Sequence, residues 1–124
     1  MEIKVNEFVR IKNGAIRKII KINEGKEKTI FGKYRLDKPY NNCFSVAQNK
    51  IVKHSNNIID LIECGDYVNG MKVCKINEPS LANDYKRIVY CNEDEGLYEG
   101  IFTNDEIKSI VTKQQMEAIQ YVVE

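Results

Sequence analysis

Apolar and polar residues alternate through residues 2–11, EIKVNEFVRI, with β-branched and aromatic side chains at the apolar positions, which predicts a strand. Lys12-Asn13-Gly14 predicts a tight turn, because Asn-Gly tolerates the positive φ that hairpins need. Residues 15–22, AIRKIIKI, are then the returning strand. Their spacing also fits a helical period, but the turn before them and their isoleucines favour the hairpin. A charged turn is expected at 23–28, a third strand at 29–36 and a loop at 37–42, DKPYNN, where turn formers cluster. Residues 43–47 and 50–53 are expected to make a fourth strand around a bulge. Ser55-Asn56-Asn57 can cap one helical turn, and 60–63 are expected to return as a short fifth strand.

The pattern then restarts. Asp66-Tyr67-Val68 matches Glu7-Phe8-Val9, Ile110-Val111-Thr112 matches Ile51-Val52-Lys53, and Ile62 matches Ile3, all at an offset of 59 residues. One offset at three separated places indicates an internal duplication. In the second copy Asn69-Gly70 falls where Asn13-Gly14 fell, and 71–76 repeat the second strand. A loop is expected at 79–84, a third strand at 85–91, an acidic turn at 92–96, and a fourth strand position filled by 97–102 and 107–111. Thr112 followed by Gln115 has the spacing of a capping box, which predicts a helix over 113–119. A closing strand is expected at 121–123.

Each copy thus reads strand, tight turn, three strands, helical turn, short strand. That order resembles an SH3-like small barrel, in which a 3-10 turn precedes the last strand. The expected fold is all-β: two tandem SH3-like barrels, residues 1–62 and 63–124, each with one short helix or 3-10 turn before its last strand. A single larger barrel built from both copies is the alternative. Units of this size have marginal cores, and so few residues separate Ile62 from Tyr67 that the copies are expected to pack together.

Charge sharpens the division. The chain carries a net +1, yet residues 1–60 hold 13 Lys/Arg against 6 Asp/Glu and residues 61–124 hold 6 against 12. The first copy is basic and the second acidic, so each field can steer a partner, or the halves can attract one another within or between molecules. No run reaches the roughly 18 apolar residues of a membrane span, and the N-terminus lacks the apolar core of a signal peptide. A cytoplasmic protein of a bacterial host is the expectation. Cys43, Cys64, Cys74 and Cys91 form no close pair and His54 is the sole histidine, a spacing that argues against zinc. Free thiols, with no metal and no cofactor, are expected.

Ile, Lys and Asn make up 45 of the 124 residues, a bias of AT-rich genes. The segments IVKHSNNIIDLIECGDYVNG and NDEIKSIVTKQQMEAIQYVVE resemble small proteins of phages and prophages of AT-rich Gram-positive bacteria. Cys64 stands where those carry Val. The resemblance implies a phage accessory setting and brings no activity or functional residue with it.

The chemistry-bearing residues argue against an enzyme. Nothing marks a partner for His54, the glycines are too dispersed for a phosphate loop, and the acidic pairs fall in turns. Binding has more support. Glu93, Asp94, Glu95 and Glu99, with Tyr98 and Phe102, form an acidic patch suited to the basic site of a nucleic-acid-handling protein complex. A non-enzymatic antagonist of a host factor, such as an antiviral CRISPR-type nuclease complex, is the leading expectation. The alternative is a nucleic-acid- or nucleotide-binding module on the basic copy, using Lys26, Lys28, Lys33, Tyr34 and Arg35, where cations track phosphates and the aromatic ring stacks a base.

Overall fold

The computed structural model describes residues 2–84 and 86–119, with backbone alone at residue 83. The described residues are mostly β, with two antiparallel five-stranded sheets and two short helices among them. The chain divides into two compact units, Met1–Leu61 and Ile62–Glu124.

In the first unit β1 (Phe8–Ile11) and β2 (Ile16–Ile22) form a hairpin, and helix α1 (Gly25–Phe31) leads to β3 (Tyr34–Tyr40). Then come β4 (Cys43–Val46), a 3-10 turn at Gln48–Lys50 and β5 (Ile51–Ser55), in the sheet order β4-β3-β2-β1-β5. Val9, Ile11, Ala15, Ile19, Tyr34, Leu36, Val46 and Ile51 bury together with Ile3. Fully burying one such aliphatic side chain contributes about 1.5–3 kcal/mol, and this cluster is what opposes chain entropy in so small a unit. Arg10 is buried as well, and its Nη1 donates to the Leu61 carbonyl at 3.0 Å.

The second unit holds β6 (Tyr67–Val68), β7 (Met71–Asn77), β8 (Ile88–Asp94) and β9 (Leu97–Phe102), then a 3-10 turn at Asn104–Glu106, β10 (Ile110–Val111) and α2 (Lys113–Ile119). Its sheet order is β10-β6-β7-β8-β9. Numbered within each unit, the two orders are identical, and in both a 3-10 turn separates the fourth strand from the fifth. Ile62, Val68, Val73, Val89 and Cys91 are buried here, with Asp66 and Thr112.

The repeated offset marks a repeated device. In the first unit the Glu7 carboxylate accepts from the Lys4 amide, and the Glu7 amide donates to the Lys4 carbonyl at 3.2 Å. In the second the Asp66 carboxylate accepts from the Glu63 amide at 2.7 Å, and its amide donates to the Glu63 carbonyl at 3.1 Å. Both turns need a positive φ just before the acid, and Asn6 (77°) and Gly65 (97°) supply it. Each acid is then held from the far end of its unit: Glu7 by His54 Nδ1 at 2.8 Å, Asp66 by the Lys113 amide at 2.9 Å. Positions 54 and 113 again differ by 59. Each turn also borders its second strand identically, through Asn6 and Ile19 in one unit and Gly65 and Val73 in the other.

Several expected elements are displaced. Residues 29–31 end α1 rather than begin a strand, and the third strand starts at Tyr34. Gly32 decides this: at φ 111° it turns the chain, and a Cβ there would lie 2.6 Å from the Val46 carbonyl carbon. Residues 37–40 continue β3, where Asp37 Oδ1 accepts the Lys18 amide, and only Asn41-Asn42 turns, both at positive φ. The expected composite fourth strands are each two strands: Ile51–Ser55 and Ile110–Val111 leave β4 and β9 behind and pair with the first strand of their unit. The helical turn capped by Ser55 is the 3-10 turn Ile58–Leu61, and it takes in Asp60 and Leu61, expected as the start of the fifth strand at 60–63. In the second unit the third strand runs from Ile88 to Asp94, so the acidic turn shrinks to Glu95-Gly96. The strand expected at 121–123, and Tyr85, lie outside the described residues.

Candidate binding surfaces

The first unit has a cleft of about 370 Å³ between α1 and β4, lined by Ile30, Phe31, Arg35, Asn42, Cys43, Phe44 and Ser45. The connection that forms it is clamped from beneath. Buried Asn23 donates to the Gly32 carbonyl at 2.9 Å and to Ser45 Oγ at 3.0 Å, and its amide bonds the Lys33 carbonyl at 2.7 Å. With those groups satisfied, the apolar side chains of α1 are left at the surface: Ile30 is 69% exposed, Phe31 63% and Phe44 52%. Large apolar groups gathered at one exposed cleft mark an interaction site more strongly than the same residues scattered.

The expected basic set surrounds this cleft only in part. Lys26 and Lys28 are exposed on α1, Lys26 one helical turn from Ile30, and Arg35 points outward from β3 between buried Tyr34 and Leu36. Tyr34 cannot stack a base. It is a core residue, 1% exposed, and its hydroxyl donates to Gln48 Oε1 at 3.3 Å, while Lys33 Nζ lies 5.3 Å from the ring centre. Phe31 and Phe44 are the aromatics that the cleft presents. Sequence reading took Tyr34 as the stacking ring and passed over Phe44, because a strand-like setting implies burial.

The expected acidic patch is a hairpin of the second unit. Glu93 and Asp94 end β8, Glu95-Gly96 turns, and Glu99 lies on β9; all four acids are exposed. Glu95 (φ 51°) and Gly96 (φ 81°) form a two-residue turn of the kind that matches strand twist. The aromatic members are less available. Tyr98 lies across from Glu93, is half-buried and meets the Tyr90 ring at 5.0 Å. Phe102 is half-buried and covers Gly100 together with Met71. The exposed apolar groups are instead Leu97 (75%) and Ile101 (51%), which alternate with Glu99 on β9. Period-2 alternation from the buried Gly100 was the signal that would have found them.

The remaining polar groups are structural. His54 bonds Glu7, whose carboxyl is pushed up by burial but pulled further down by the His54 and Lys4 contacts, so that it titrates below its ordinary value. Ser55 Oγ donates to Asp60 Oδ2 at 2.6 Å and accepts the Asn57 amide at 3.0 Å, as a turn cap does. Cys43, Cys64 and Cys74 are exposed free thiols; Cys91 is buried, and burial first, then the nearby Cys74, pushes its thiol up to about 11. Among the described residues no cluster of His, Cys, Asp and Glu could hold a metal ion, and no helix is long and apolar enough to cross a membrane. No protein-family model, curated protein or solved structure matches the chain.

Proposed function

We propose that the two units are SH3-like small barrels descended from one duplicated ancestor, and that the chain is a non-enzymatic binding protein of a phage or prophage. It acts in the bacterial cytoplasm by occupying a basic site on a host factor, such as an antiviral nuclease complex. The shared strand order and the acid-stapled turn repeated at 59-residue spacing support the common descent. The phage setting rests on the resemblance of the central and C-terminal segments.

The observation that carries the binding mode is the β8–β9 hairpin tip, where Glu93, Asp94 and Glu95 are all exposed beside Leu97. Carboxylates on a regular hairpin keep a fixed spacing, and an adjoining apolar residue supplies the area that surface charge alone lacks. The nucleic-acid reading is weaker, since it loses Tyr34 to the core and retains only Lys26, Lys28, Lys33 and Arg35.

Affinity capture from infected cells tests the proposal. Wild-type protein should retain a partner that Glu93→Lys, Asp94→Lys and Glu95→Lys together release. The reading fails if wild-type protein instead binds DNA or RNA tightly at physiological salt and loses that binding on replacing Lys26, Lys28, Lys33 and Arg35 with Ala.

A further inference from the structure

We propose that the β8–β9 hairpin of one copy of this chain docks in the α1–β4 cleft of a second copy. The proposal goes beyond the host-partner reading and stands or falls without it. Two of the surfaces that leave large apolar side chains in water are the cleft, through Ile30, Phe31 and Phe44, and the hairpin, through Leu97 and Ile101. Their charges are opposite. The cleft has Arg35 in its lining and Lys26 and Lys28 on the helix beside it, whereas the hairpin carries Glu93, Asp94 and Glu95. Among the described residues no carboxylate lines the cleft, and Glu27, on α1 with the two lysines, is paired with Lys21 Nζ at 3.3 Å.

The backbone is complementary too. β4 and β9 each lie at an edge of their sheet, and an edge strand can add a strand from another molecule. Copies do not repel one another, because the chain's net charge is only +1. Leu97 is the anchor and the apolar side chains of the cleft are its seat, with the hairpin carboxylates at the basic rim. The contact joins two different surfaces, so a pair of copies keeps one free cleft and one free hairpin, and assembly continues as an open chain unless a ring closes. A host partner on the hairpin excludes this contact, which makes self-association and partner binding compete.

Sedimentation velocity of the full chain under reducing conditions, over a concentration series, tests the proposal. Wild-type mass should rise with concentration, less so when salt is raised from about 0.05 M to about 0.5 M, where screening is stronger. Phe31→Ser and Leu97→Ser, both at exposed positions, should each weaken association about tenfold or more, as loss of an anchor does, with unchanged circular dichroism. Phe44→Ser is the second cleft variant and should behave as Phe31→Ser does. An equimolar mixture of Phe31→Ser and Leu97→Ser should form a species of two chains and none larger, because one variant keeps its hairpin and the other its cleft. Wild-type protein that stays monomeric throughout, variants that associate like wild type, or a mixture that recovers no two-chain species would each overturn the proposal.

Discussion

The two units run through the same strand order but cross from second to third strand differently. In the first, α1 fills that crossing and closes a cleft against β4. In the second, a 3-10 turn at Leu81–Asn83 leaves an open hollow of about 520 Å³ lined by Asn77, Glu78, Ser80, Ala82, Ile88 and Tyr90. There Arg87 bridges to Glu78 at 2.8 Å. The turns that close the third and fourth strands are alike, two residues at positive φ in both: Asn41-Asn42 and Glu95-Gly96. What is kept is the frame of stapled turn and tight hairpin. What differs is the connection a partner would meet, the usual division of labour between scaffold and loop.

The sharpest way to break that comparison is at glycine. Gly32→Ala places a Cβ 2.6 Å from the Val46 carbonyl carbon and 2.9 Å from the Ala47 nitrogen, at φ 111°. Backbone cannot yield as a side-chain tip does, so this variant should lose about 3 kcal/mol or more, strain and overpacking combined. Gly96→Ala, at φ 81° with nothing within 4 Å of its Cβ, should lose only about 1 kcal/mol. Urea midpoints of the two variants measure the difference, and equal losses would show that α1 does not depend on Gly32.

Next in size are the two staples. Asp66 is fully buried and its carboxylate serves the Glu63 and Lys113 amides, so Asp66→Ala should cost about 2–3 kcal/mol. Glu7→Ala should cost about half as much, because its His54 partner is partly solvated. The Glu7 contribution also depends on pH. Its folded carboxyl titrates below its unfolded one, so the stabilisation is complete above the ordinary carboxylate range and is lost as pH falls through the folded value. Wild type and Glu7→Gln, compared by denaturant unfolding at neutral pH and in acid, should therefore converge in acid; a constant gap would refute the ionic role.

The smallest effect is one of reactivity. At mildly alkaline pH an alkylating reagent should modify Cys43, Cys64 and Cys74 and spare Cys91, whose thiol sits at about 11 behind the core. Mass spectrometry should count three fast additions, with a fourth only on unfolding. Four fast additions would mean that the second unit opens readily.

Local chemistry was the legible part of this fold. Thr112 and Gln115 cap α2 reciprocally, at 3.0 and 3.3 Å, and the helix occupies the residues their spacing foretold. The same spacing in Thr103 and Glu106 caps the 3-10 turn before β10, and reading it would have separated β9 from β10. The 59-residue offset was visible at Glu7 and Asp66, but not its purpose, since each acid is completed by a residue 47 positions away. Helix α1 was hidden because Thr29-Ile30-Phe31 favour strands by propensity, and the contact that overrides them is tertiary, between Gly32 and Val46. The cleft was hidden for a related reason: nothing local tells an exposed Phe31 or Phe44 from a buried one.

Asn69 gives the second unit a chemical clock that differs from that of the first. Its side chain accepts the Lys108 and Ser109 amides at 2.7 and 3.1 Å and donates to the Glu106 carbonyl at 3.0 Å, while its own amide bonds the Ser109 carbonyl at 2.9 Å. Asn followed by Gly is the pair most prone to deamidate, because the next peptide nitrogen can attack the side-chain amide when both swing freely. Asn69 is denied that swing. Asn13, which precedes Gly14 and holds the Ala15 amide through its side-chain oxygen at 3.1 Å, is the position where age should first write a negative charge into the basic unit.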